Sequence, residues 1–131
     1  MSITITISDQ TASGESQGSM RLSLLTSTIT LRELIRRRVY EEVREYNVAL
    51  PDRFSGLVQP TDAERTLNGY LLKKRRPIDW EKQFDVAVKA FEQNGYFVLV
   101  NDVQVEELDD PIELKIDTEV AFVKLVPLVG G

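Results

Sequence analysis

A chain of 131 residues, 42% hydrophobic and 28% charged, has the size and balance of one soluble globular domain with its own core, 1–131. It contains no cysteine and no histidine, which removes disulfides, thiolate metal sites, thioester-forming nucleophiles, the commonest general base and the commonest metal ligand. A net charge of −5 argues against nucleic acid as the main partner, and no apolar run approaches the roughly 18–20 residues that span a membrane.

The N-terminus has no basic region and no long apolar core, so it is not a signal peptide, and a cytoplasmic location is expected. Ile3, Ile5 and Ile7 alternate with Ser and Thr, which predicts a first strand. The small polar stretch from Asp9 to Ser19 reads as a mobile loop or hairpin connection, and Met20–Ser27 as a second strand. Leu31, Leu34, Ile35, Val39, Val43 and Tyr46 then recur at helical spacing, and Thr30 with Glu33 forms a capping box at the start.

Residues 47–94 differ in character and read as a helical insertion. Ala49–Pro60 is a loop. Thr61 and Glu64 suggest a second capping box on a short helix through about Asn68, and Asn68–Pro77 returns to loop or short strand. Asp79 is placed to cap a third helix carrying a stripe of Trp80, Phe84, Ala87, Val88 and Phe91, which reads as core rather than an aromatic binding site. Gly95 is its expected stop.

The last third is β again. Tyr96–Val100 and Val103–Val105 flank Asn101-Asp102, a two-residue hairpin turn. A turn follows at Asp109-Asp110-Pro111, then a final strand from Asp117. A strand pair, one strong helix and a returning sheet predict an α+β domain with a mostly antiparallel mixed sheet on one main helix.

Three stretches resemble the ubiquitin-like β-grasp superfamily, and within it the sulfur carriers such as the molybdopterin-synthase small subunit and the thiamin sulfur carrier. They are Thr28–Val39, Val98–Phe122 and the ending Val126–Gly131. The likeness covers roughly the first 46 and last 36 residues; the insertion is not typical of the carriers. It implies a β-grasp fold. It also implies a protein that is not an enzyme but the carrier or substrate of one, with no catalytic residue, metal or cofactor of its own.

The tail at 127–131 is expected to be slim and flexible. A terminal carboxylate is a poor acyl donor until it is adenylated, and two bare glycines let it enter an ATP site without side-chain clash. The resemblance implies that Gly131, with Gly130 behind it, is adenylated by an E1-like, ubiquitin-activating-type enzyme that uses ATP. A thiocarboxylate, or a thioester and then an isopeptide, would follow, with a sulfur donor or a conjugation target protein as further partner. Leu128 and Val129 belong to the segment that the enzyme would hold.

The final strand is apolar on both faces. Val120 and Phe122 are assigned to the core, leaving Ala121, Val123 and Leu125 as a partly exposed patch for a partner, unless the insertion covers that face. Arg36–Arg38 and Lys73–Arg76 read as a solvated helix face and a solvated loop, with docking of an acidic partner as the other reading. Glu106–Asp110 reads as a solvated acidic turn. The alternative for the whole chain is a β-grasp interaction module that is never conjugated. A carboxylate-based enzyme would need converging Asp or Glu side chains, for which no pattern is present.

Overall fold

The computed structural model describes residues 2–60, 63–66, 69–72 and 76–125. The chain is α+β and divides into two compact units, Met1–Leu34 with Ala90–Gly131, and Ile35–Lys89. The second unit therefore begins inside the long helix, upstream of the insertion boundary expected at 47.

In the first unit the alternating isoleucines form β1 (Ile3–Thr11), with Ile5 and Ile7 buried. It pairs antiparallel with β2 (Ser16–Leu24), which sets Ile5 opposite Leu22 and Ile3 opposite Leu24. The polar stretch is thus mostly strand, and the connection shrinks to 12–15. Gly14 sits at φ 88° there, and the Thr11 N–H donates to the Glu15 carbonyl at 2.9 Å.

The main sheet has five strands in the order β2-β1-β10-β7-β8. β10 (Glu119–Lys124) lies at its centre, parallel to β1 and antiparallel to β7 (Tyr96–Val100). β7 and β8 (Val103–Val105) form the expected hairpin. Its turn residues Asn101 and Asp102 have φ of 49° and 66°, the pattern that matches the strand twist. One sheet face carries Ile5, Ile7, Leu22, Val98, Val120 and Phe122, all buried, so Val120 and Phe122 take the core side as expected.

A short ladder between β3 (Thr28–Thr30) and β9 (Pro111–Glu113) leads into α1 (Leu31–Ala49). The first N–H groups of a helix lack intrahelical partners. Here Leu31 and Arg32 donate to the carbonyls of Asp110 and Leu108 at 3.2 and 2.8 Å, and Glu33 donates to Thr30 Oγ1 at 3.1 Å. The capping residue is the one expected from the sequence.

The second unit departs further from expectation. The short helix expected at 61–68 is replaced by β5 (Ala63–Thr66), the outer strand of a three-stranded sheet ordered β4-β6-β5. It pairs with the central strand β6 (Gly69–Leu72), whose other neighbour is β4 (Arg53–Phe54). A helix of about two turns cannot offset its own nucleation cost, whereas pairing with β6 satisfies the backbone along Ala63–Thr66. The insertion is therefore of mixed structure, not helical throughout.

α2 (Trp80–Glu92) starts as expected, with Asp79 Oδ1 accepting the N–H groups of Glu81 and Lys82 at 3.0 and 3.4 Å. Of the expected stripe only Ala87 is fully buried, and Gln83 is buried beside it. The helix ends in a Schellman pattern, with Gly95 N–H donating to Ala90 O at 2.8 Å and Asn94 N–H to Phe91 O at 3.1 Å. The left-handed residue is Asn94, at φ 60°, so Gly95 is the position after it rather than the stop itself.

Polar groups organise the interior of this second unit. Arg38 is only 2% exposed and pairs with Glu42 at 3.3 Å. The same carboxylate accepts the Leu57 N–H at 3.4 Å, and Gln83 Nε2 donates to the Val58 carbonyl at 3.2 Å. Asn47 brackets Ile78, giving to its carbonyl at 2.9 Å and taking from its N–H at 2.8 Å. The expected solvated face at Arg36–Arg38 is corrected on this point. Arg38 points inward, and Arg36 lies over the Trp80 ring at 5.1 Å. Lys73–Arg75 of the second basic run lie outside the described residues.

Candidate functional site

The tail expected to carry the chemistry, with Leu128, Val129, Gly130 and Gly131, lies outside the described residues, which end at Leu125. The strand that leads to it is well defined. At its end, Leu125 N–H donates to the Gly95 carbonyl at 3.1 Å and Lys124 Nζ lies 3.6 Å from Asp9 Oδ2. These contacts tie the end of β10 to β1 and to the residue that precedes β7. The ion pair joins the two parallel strands β1 and β10 across the sheet.

The patch expected on the outer face of β10 is narrower than the sequence indicates. Ala121 is half-buried and Leu125 is 38% exposed, but Val123 is only 5% exposed. The cause is strand position. β10 has a neighbour on each side, and Val123 sits directly between Gln10 of β1 and Phe97 of β7. Two large cross-strand side chains on the same face shield a valine between them. Parity alone does not reveal this, because it assigns a face without counting neighbours.

A second feature escaped the sequence reading. An open concavity of about 530 Å³ lies in the first unit, bounded by the end of α2, the start of β7, Gln104 of β8 and the turn at Glu106–Asp109. Phe91, Tyr96 and Phe97 are among its lining residues. Phe97 stands on the sheet face of Gln104, whereas the Tyr96 ring, 3% exposed, turns to the core face with Phe122 at 5.8 Å. Its charged lining is Arg32, Glu92, Glu106, Glu107 and Asp109. Arg32 is engaged by Asp109 at 3.2 Å, and the carboxylates of Glu92, Glu106 and Glu107 form no ion pair with any described residue.

The turn itself is held by Asp110, whose N–H donates to Glu107 O at 3.1 Å and whose Oδ2 accepts the Glu107 N–H at 3.2 Å. The acidic run is thus a turn, as expected, and also one wall of a groove. No sequence signal marks this, since Arg32 and Asp109 are 77 positions apart.

Among the described residues no group of three or more acidic side chains is placed to hold a metal ion, and no helix is long and apolar enough to cross a membrane. Compared with known proteins, the chain matches no family model, no curated protein and no solved structure.

Proposed function

We propose that this protein is a ubiquitin-like β-grasp carrier or modifier of the cytoplasm whose Gly131 carboxylate is activated by an ATP-using, adenylating enzyme. One observation carries the reading. The sheet order β2-β1-β10-β7-β8, with the last strand central and parallel to the first, is the arrangement that a β-grasp fold requires. It agrees with the resemblance in Thr28–Val39 and Val98–Phe122, and the chain after Leu125 continues as Val126-Pro127-Leu128-Val129-Gly130-Gly131.

The chemistry is balanced without any catalytic group in this chain. A Gly131 carboxylate oxygen attacks the α-phosphate of ATP, pyrophosphate leaves, and an acyl-adenylate forms. The terminal sulfur of a donor-protein persulfide displaces AMP to give an acyl disulfide, and a second thiol cleaves its S–S bond, leaving the thiocarboxylate and a disulfide. Alternatively an enzyme thiol displaces AMP to give a thioester, and a target lysine amine expels that thiol to form an isopeptide. The reading requires Gly131 to be the last residue of the mature protein.

Mass spectrometry of protein recovered from its own cells tests all of this at once. Lys124 is the last trypsin site, so conjugation leaves a Leu125–Gly131 branch on a target lysine. Sulfur transfer leaves free protein with one terminal oxygen replaced by sulfur. Only unmodified carboxylate, or a chain extending past Gly131, contradicts the proposal.

The groove beside β8 favours a second reading, an interaction module that is never conjugated. Deletion of Gly131 would leave partner binding unchanged in that case and would abolish activation in the first.

A further inference from the structure

We propose that the groove between the end of α2, the start of β7 and the Glu106–Asp109 turn, together with the free edge of β8, binds an extended basic segment of a partner protein. The inference is independent of the tail chemistry.

Three observations converge. First, the groove has the size of a peptide subsite, about 530 Å³, and Phe97 lies on its sheet face together with Gln104. Second, its rim offers Glu92, Glu106 and Glu107, whose carboxylates form no ion pair among the described residues, while its single guanidinium is already engaged by Asp109. An anionic partner would meet three uncompensated carboxylates. A lysine or arginine would lay its methylene stem on Phe97 and keep its charged head at the acidic rim. A metal ion is not the fitting occupant, because the carboxylates do not converge.

Third, the neighbouring strand edge is open. β8 is the outermost strand and has no partner on its far side among the described residues. In a two-residue hairpin the residues that flank the turn exchange hydrogen bonds, so Val103 and Val105 aim their backbone groups at β7. Gln104 then aims its N–H and C=O outward, and Gln104 also lines the groove. Val103 beside it is 68% exposed. An added strand would meet the outward donor and acceptor of Gln104 and, on the sheet face that carries Gln104 and Phe97, the acidic cleft, while Val103 points to the other face. This is the pattern of β-strand addition with a side-chain pocket.

The test is titration of the ¹⁵N-labelled full chain with a synthetic peptide of alternating lysine and valine, followed by amide chemical shifts. The control peptide has glutamate in place of lysine. The expected result is saturable binding with the largest shifts at Gln104 and 106–109, and no binding of the control. Replacing Glu106→Gln and Glu107→Gln together should weaken binding about three- to tenfold while leaving the amide spectrum otherwise native. The proposal is overturned by absence of binding, by shifts scattered over acidic residues elsewhere such as Glu15 and Asp85, or by undiminished affinity of the doubly substituted chain.

Discussion

Both units of this chain have an apolar core, and they differ in the polar groups that accompany it. In the first, strands with apolar residues at period two stack Ile5, Ile7, Leu22, Val98, Val120 and Phe122 on one sheet face. The second also buries apolar side chains, among them Ile35, Val39, Val43, Tyr46, Phe54 and Leu57. It adds to them Arg38, paired with Glu42, and Glu42, Gln83 and Asn47, which hydrogen-bond loop backbone. An apolar core tolerates exchange among similar shapes. A buried polar network has little such freedom, since each removed partner leaves another group unsatisfied. The first kind of interior is therefore visible in a hydrophobicity pattern, and the second is not.

Removing one partner of the buried ion pair is the sharpest way to separate the two. Glu42→Ala removes one counter-charge of the buried Arg38 and the acceptor of the Leu57 N–H, and should cost about 3–5 kcal/mol in urea denaturation. The double variant Arg38→Met with Glu42→Leu should recover most of that loss, because an apolar pair of similar volume replaces the ions. Equal losses in the single and double variants would show that the charges themselves stabilise this unit.

Phe122→Ala probes the other kind of interior and should cost about 3–4 kcal/mol through lost burial and the cavity left behind. Phe122→Leu should recover a large part of it, a leniency not expected at Glu42. Next in size is Gly56→Ala. A Cβ at Gly56 would collide with the Phe54 ring, which itself packs edge-on against Tyr46 at 5.4 Å. A cost of about 1–3 kcal/mol is expected by thermal or urea unfolding. The smallest effect has the opposite sign. Asp102 sits at φ 66° in the β7–β8 turn, so Asp102→Gly should stabilise the chain by up to about 1 kcal/mol.

The same contrast explains what the sequence disclosed. Ile3, Ile5 and Ile7 alternate, Thr30 caps a helix and Asn101-Asp102 turns a hairpin, each a local signal with a local cause. The mixed sheet follows from these pieces. The three-residue partners β3 and β9 are too short to show a period, and they meet only through tertiary pairing. The pattern Thr61 to Glu64 fits a capping box, yet pairing with β6 decides the backbone of Ala63–Thr66. Arg38 reads as one more surface arginine in a run of three. Its burial depends on a loop fifteen positions past Glu42, where the Leu57 N–H donates to the same carboxylate.

The candidate site divides in the same way. The Gly130-Gly131 ending and the inward parity of Val120 and Phe122 are readable from residue order. The burial of Val123 is not, because it needs the knowledge that Gln10 and Phe97 flank it. The groove needs residues from α1, α2, β7, β8 and the acidic turn at once.

The most direct test of the functional account is ATP–pyrophosphate exchange in extract from the protein's own cells, with labelled pyrophosphate and added purified chain. Activation of the Gly131 carboxylate predicts that the full chain raises the incorporation of label into ATP and that the same chain lacking Gly131 does not. Equal incorporation with both chains, or no rise with either, would contradict it.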